Sequence, residues 1–118
     1  MKLNSISGVT YAVRDLQASM QFYESLGFRM GKHDEHHATC YVNWFWVDLV
    51  VGNSVGVGMA ASEGVMLYIK IDSADECYQG IVTQGLKPES QPSKKASGNR
   101  EFVLRDPDGH QLVFFEKK

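Results

Sequence analysis

Cysteine is scarce in this chain: Cys40 and Cys77 are the only two. They form neither the paired spacing of a zinc site nor a disulfide framework, so a small cross-linked scaffold is excluded and a reducing cytoplasm is the expected home. Long apolar runs are missing as well. The longest, Trp44 to Val51, is broken by Asp48 and is far too short to span a bilayer. The opening residues Met1-Lys2-Leu3-Asn4-Ser5 lack the apolar run of a secretory signal, and no membrane partner is expected. Nor does one sign of charge dominate. Twelve Lys and Arg stand against fourteen Asp and Glu, a net charge of −2, which leaves no electrostatic footprint for nucleic acid. The nearest basic clusters, Lys94-Lys95 and Lys117-Lys118, read as solvated charge. No Walker motif, nucleophile elbow or paired-carboxylate arrangement occurs.

What is present suits one ordinary domain. Among 118 residues, 43% are hydrophobic and 22% charged, enough apolar material to bury a core. From Val9 to Val13 the chain alternates, with Val9, Tyr11 and Val13 on one face and Gly8, Thr10 and Ala12 on the other. Asp15 reads as an N-cap, Leu16, Met20 and Tyr23 follow at helical spacing, and Gly27 is placed to end the helix. Phe28 to Gly31 begins another strand. The same order returns later. Val65 to Ile71 alternates, Ser73-Ala74-Asp75-Glu76 forms a capping box, Cys77 and Ile81 with Tyr78 and Val82 supply a buried stripe, and Gly85 ends the helix. One shift of 58 positions lays Gly8 on Met66, Val9 on Leu67, Tyr11 on Ile69, Val13 on Ile71 and Gly27 on Gly85. A strand-helix pair repeated at that period predicts two copies of one module.

Each module closes with further strands, at about Cys40 to Val51 in the first and Arg100 to Arg105 with Gln111 to Glu116 in the second. Asp106-Pro107-Asp108-Gly109 between the last two fits a type I turn, with proline second and glycine fourth. His110 then reads as a solvated turn residue. Gly52-Asn53-Ser54-Val55-Gly56-Val57-Gly58 looks like a flexible connector between modules. Pro88 to Asn99 has no periodicity and reads as a surface loop, with a lid as the alternative.

Taken in order, these words resemble the vicinal oxygen chelate superfamily, which includes glyoxalase I, bleomycin-resistance proteins, fosfomycin-resistance enzymes and extradiol dioxygenases. The resemblance rests on Val13-Arg14-Asp15-Leu16, Phe22-Tyr23-Glu24-Ser25-Leu26-Gly27-Phe28, Tyr68-Ile69-Lys70-Ile71-Asp72, and Arg100 to Gly109 followed by Leu112-Val113-Phe114-Phe115-Glu116. It covers nearly the whole chain. It implies an α+β fold in one domain, residues 1–118: two tandem βαβββ modules, about 1–58 and 59–118, forming a curved, partly closed sheet around a cavity with the helices outside. A homodimer is also implied. The fold hosts many reactions, so it does not name one.

In the superfamily's metalloenzymes four inward residues hold a divalent ion. By resemblance those positions fall here on Gly8, Asp48, Met66 and Val113. Only Asp48 offers the lone pairs that such an ion needs, so neither a metal nor another cofactor is expected. A slip of one residue does not help, because it turns every side chain to the opposite face. His33-Asp34-Glu35-His36-His37, with Cys40 nearby, reads as a polar loop carrying surface histidines rather than a zinc site. Gly56-Val57-Gly58-Met59-Ala60-Ala61 looks like a dinucleotide fingerprint but lacks the flanking strand and helix.

With Asp48 facing inward, period-two spacing adds Trp44, Trp46 and Val50 to its face. Met66, Tyr68 and Lys70 follow from the second module, with Val113 and Phe115 from the last strand and Thr10 and Ala12 beside Gly8. Such a wall suits a flat organic molecule, with Asp48 for a cationic amine and Lys70 for an anionic group. Phe22, Tyr23, Leu26, Leu67, Ile69, Leu112 and Phe114 read instead as core. The expected function is non-enzymatic capture of an aromatic or amphipathic compound, cationic antibiotic-like molecules included. One alternative is a divergent lyase, isomerase or thiol transferase using Asp48 as a general base. A ligand-free interaction module, its interior packed shut by Trp44 and Trp46, is another.

Overall fold

Alternating stretches and capped segments become strands and helices where the sequence places them. The computed structural model describes residues 1–52 and 64–118. Most of the connector 52–58, and all of Gly56 to Ala61, lie outside the described residues. The first unit runs β1 (Gly8–Val13), α1 (Leu16–Ser25), β2 (Arg29–His33), β3 (His37–Val42) and β4 (Phe45–Val51). The second runs β5 (Met66–Lys70), α2 (Ala74–Thr83), β6 (Ser93–Lys94), β7 (Arg100–Arg105) and β8 (Gln111–Glu116). Contacts group the chain into two compact units, Met1–Ala60 and Ala61–Lys118.

Each unit builds a four-stranded sheet in the same way. The first sheet has the order β1-β4-β3-β2 and the second β5-β8-β7-β6. In both, the strand before the helix pairs in parallel with the last strand, and the other pairings are antiparallel. This is the α+β arrangement of two βαβββ modules, with neither sheet closed into a barrel. Register makes the internal repeat quantitative. Thr10 lies opposite Asp48, and its counterpart 58 positions on, Tyr68, lies opposite Val113. Asp48 and Val113 are therefore equivalent, as are Gly8 and Met66.

The helix ends show why the two modules read alike in sequence. Asp15 accepts a hydrogen bond from the Ala18 amide at 3.1 Å, and Ser73 accepts one from the Glu76 amide at 3.2 Å. Both side chains satisfy donors that the first helical turn leaves orphaned. Glu116 on β8 adds a long-range cap, accepting from the Ala74 amide at 2.8 Å. At the other end Gly27 and Gly85 take φ of 105° and 88°, conformations that favour glycine. The amide of Phe28 then reaches the Tyr23 carbonyl, and that of Leu86 the Ile81 carbonyl, while Gly27 and Gly85 bond to Glu24 and Val82. These are paired Schellman motifs.

One face of each sheet is covered by its own helix. Val47, Leu49, Ala38 and Cys40 are buried there in the first unit, with Phe22 and Tyr23 of α1. In the second, Phe102, Leu104, Leu112 and Phe114 meet Ile81 and Tyr78 of α2, the rings of Phe102 and Phe114 stacking at 5.3 Å. Of the expected core, Phe22, Tyr23, Leu112 and Phe114 are buried, while Leu26, Leu67 and Ile69 are half-buried.

Three local expectations are corrected. Pro88 to Asn99 is not structureless throughout, because β6 pairs with β7 through Ser93–Glu101 and Lys94–Arg100. The polar stretch from His33 to His37 is not one loop. His33 ends β2 and His37 begins β3, because the Asp34 carboxylate accepts the His36 and His37 amides at 2.8 and 3.0 Å and turns the chain. Those backbone bonds, His36 first, hold the Asp34 carboxyl below its usual range. His110 is buried rather than solvated, its amide donating to Asp106 at 2.9 Å. The 106–109 turn itself forms as the sequence predicts, with the Gly109 amide on the Asp106 carbonyl.

Candidate functional site

The face of the first sheet away from α1 follows from its register. Across the strands, Arg29 lies opposite Tyr41, Tyr41 opposite Trp46, and Trp46 opposite Gly8. The next row on this face is Thr39, Asp48 and Thr10, and beyond it come His37, Val50 and Ala12. Trp46 is 40% exposed, far more than an indole in a core. Its ring lies over Gly8: a Cβ built on Gly8 would collide with the indole. Glycine at this position is what lets the ring lie flat on the sheet.

Beside the indole is a polar group of three. The Thr39 hydroxyl donates to Asp48 Oδ1 at 2.7 Å. His37 Nε2 stands 3.5 Å from the same oxygen and 3.4 Å from Thr39 Oγ1. The carboxylate is thus held by one neutral donor and approached by an imidazole, with a quarter of its side chain open to solvent. It retains acceptor capacity for a ligand donor.

Of the first-unit residues that the sequence places on a binding wall, Trp46, Asp48, Val50, Thr10 and Ala12 lie on one face. Trp44 stands elsewhere. It occupies the two-residue turn between β3 and β4, next to Asn43 with φ of 54°, and is 66% exposed. Strand alternation does not reach it because the strand begins at Phe45. On the second sheet, Met66, Tyr68, Lys70, Val113 and Phe115 share the face away from α2, with Tyr68 opposite Val113 and Lys70 opposite Phe115. The Tyr68 and Phe115 rings meet edge to face at 5.9 Å. Met66, Tyr68 and Lys70 are exposed, whereas Val113 is buried.

The residues do not fit the divalent ion held by the metalloenzymes that the sequence resembles. Gly8 presents a hydrogen beneath an indole, Met66 an exposed thioether, and Val113 a buried isopropyl group. Asp48 is the one hard donor of the four positions, and it already accepts from Thr39. Among the described residues no three His, Cys, Asp or Glu side chains come together as a metal site would require.

Sequence alone does not single out His37, Thr39, Tyr41 and Arg29 as site residues. Their signal was the alternation of His37, Thr39 and Tyr41 against buried Ala38 and Cys40, in phase with Asp48. The buried member of that alternation has a chemical consequence. Desolvation, with the Asp48 charge as the smaller cause, pushes the Cys40 thiol from 9.0 to about 12. An unfolded thiol therefore ionises first as pH rises, which favours the unfolded chain. The Cys40 contribution to stability is expected to hold below pH 9 and to fall between about 9 and 12. Denaturant titrations of wild type and Cys40→Ala, compared across that range, check it. In the folded protein at pH 8, Cys40 is expected to resist a thiol reagent until the chain unfolds.

Paired strand-helix modules with a parallel first-to-last strand contact define the class of protein. The family model of the Glyoxalase/Bleomycin resistance protein/Dioxygenase superfamily matches residues 5–114, and the chain belongs to that superfamily. Solved structures agree on the fold. A glyoxalase/bleomycin resistance protein/dioxygenase from Nocardioides superposes with TM-score 0.83 at 20% identity, covering 99% of this chain and 85% of that one. A glyoxalase-related enzyme from Fulvimarina pelagi gives 0.83 at 18%, over 98% and 89%. Lactoylglutathione lyase from Agrobacterium tumefaciens gives 0.80 at 17%, over 98% and 96%. A search of curated proteins finds no match to the sequence. No helix among the described residues is long and apolar enough to cross a membrane.

Proposed function

We propose that this protein captures a small aromatic or amphipathic organic compound without a metal ion. The observation that carries this reading is the indole of Trp46 laid over Gly8. At a position where metal-binding relatives supply a ligand, this chain supplies a half-open stacking surface. Aromatic faces bury large ligand area, and an adjacent carboxylate orients a donor or a cation. The exposed Tyr68 and Met66 offer a second apolar face on the other sheet. By resemblance, the proposal includes a cytoplasmic homodimer.

Tryptophan fluorescence is the direct test, in a Trp44→Phe background where Trp46 is the remaining tryptophan. Aromatic amines and amphipathic drug-like compounds are expected to quench or shift Trp46 emission saturably. Failure of the whole series to perturb it would sink the proposal.

One observation favours an enzymatic reading as well. His37 and Thr39 flank Asp48 closely enough to hold its carboxylate as a general base. Turnover of a superfamily substrate in chelator, lost in Asp48→Asn, would support it. Activity that appears only on adding metal would contradict both readings.

A further inference from the structure

The row containing Trp46 carries a second polar end that the proposed function does not use. Arg29 and Gly31 lie on β2, and the Arg29 guanidinium carbon sits 4.6 Å from the centre of the Tyr41 ring. One of its nitrogens donates to the Asn43 carbonyl at 3.4 Å, which leaves most of its five donors toward solvent. A Cβ on Gly31 would come within 2.8 Å of the Tyr41 ring and 3.2 Å of the Thr39 carbonyl. Gly31 is therefore to Tyr41 what Gly8 is to Trp46, a missing side chain that lets a ring lie down.

These two contacts have opposite directions. Tyr41 and Trp46 face each other across β3 and β4, yet Tyr41 leans outward over β2 and Trp46 outward over β1. Two facing aromatic residues ordinarily pack on each other. Here each is drawn aside by a glycine, and the space above the strand pair is flanked by rings on both sides. Arg29 stands at the Tyr41 side of that space. Asp48 lies one row farther along β4 from Trp46, on the same face.

We propose that this platform recognises a zwitterionic aromatic compound, with an anionic group on Arg29, the flat body between Tyr41 and Trp46, and an ammonium on Asp48. The proposal rests on the reading that this face binds an aromatic ligand, and adds the anion. Arg29 stands on β2, and Asp48 on β4 is two strands across and two residues along. Strand spacings of about 4.8 Å and rises of about 3.4 Å per residue put the two residues about 12 Å apart. A carboxylate and an aminomethyl group at opposite ends of one benzene ring, about 7 Å apart, span that distance with a hydrogen bond of about 2.8 Å at each end. An arginine fork suits a planar carboxylate, and its stacking on Tyr41 fixes the direction of approach.

Calorimetric titration with three probes tests it: 4-(aminomethyl)benzoate, 4-methylbenzoate and 4-methylbenzylamine, on wild type, Arg29→Gln and Asp48→Asn. The expected order of affinity is zwitterion first, with either singly charged probe at least about tenfold weaker. Arg29→Gln is expected to weaken the zwitterion and the anion by about tenfold and to leave the amine unchanged. Asp48→Asn is expected to do the reverse. Arg29 is exposed, and a circular dichroism spectrum unchanged in Arg29→Gln separates recognition from folding. If the amine binds as tightly as the zwitterion and Arg29→Gln changes nothing, the anion site is wrong while aromatic capture stands. If none of the three probes binds any of the proteins, while other aromatic compounds still quench Trp46, the zwitterion assignment is again overturned. Silence of Trp46 toward every aromatic compound overturns both.

Discussion

Tyr23→Ala is expected to destabilise the protein by about 3–5 kcal/mol, the usual cost of deleting a fully buried aromatic side chain. Tyr23 is wholly buried, with Phe22 at 5.1 Å and Phe28 at 5.0 Å, both edge to face. It also has a place in the local chain geometry. Its carbonyl accepts the Phe28 amide in the Schellman motif, and the Tyr23–Phe28 contact is the apolar clasp that accompanies such a motif. One substitution thus opens a cavity and loosens the turn that feeds β2. Against a typical total of about 5–15 kcal/mol, the loss is large enough to leave a substantial unfolded fraction at 37 °C. Urea denaturation measures it as a lower midpoint with an unchanged slope. A loss under about 1 kcal/mol would show that α1 packs on the sheet without this ring.

Tyr23 is legible as core in the sequence itself, and the reason is periodicity. Leu16, Met20 and Tyr23 share one helical stripe, and Asp15 and Gly27 mark the ends. The second module repeats that grammar with Ser73, Ile81 and Gly85, so local signals and long-range packing agreed twice. The site was less legible because its residues depend on where strands begin. His37 sits one residue past a turn made by the Asp34 side chain, and nothing in His33 to His37 alone distinguishes a turn from a longer loop. Trp44 fails in the opposite sense. Alternation carried backward from Asp48 puts it on the face with Trp46, but the strand has already given way to a turn at Asn43 and Trp44.

Gly8 shows a subtler limit. As a residue type it revealed only the absence of a ligand, and that part was readable from the sequence. That the space of the missing side chain is taken by an indole from the neighbouring strand depends on the parallel register Gly8–Trp46. Pairings between residues 38 positions apart are not written in local pattern. The same holds for Gly31 and Tyr41, whose partnership needs the β2–β3 register.

Trp46→Ala is expected to weaken binding of the captured compound by about thirtyfold. An indole side chain exposes on the order of 200 Å² when free, and about 40% of Trp46 remains open. A ligand that covers this remainder buries about 80 Å² of it, worth about 2 kcal/mol at 25 cal/mol per Å², or about thirtyfold in affinity. The other 60% of the ring, about 120 Å², is already buried on the sheet, so its removal is also expected to cost up to about 3 kcal/mol of stability, and affinity is compared under conditions where both proteins are folded. Gly8→Ala separates the presence of the ring from its posture. The added Cβ drives the indole off the sheet, so binding is expected to fall although tryptophan is retained. Titration of both variants by calorimetry, which does not depend on the altered fluorophore, gives the comparison. Equal affinity in wild type and Trp46→Ala would remove the indole from the site. Loss in Trp46→Ala with full affinity in Gly8→Ala would show that the ring matters and its flat seating does not.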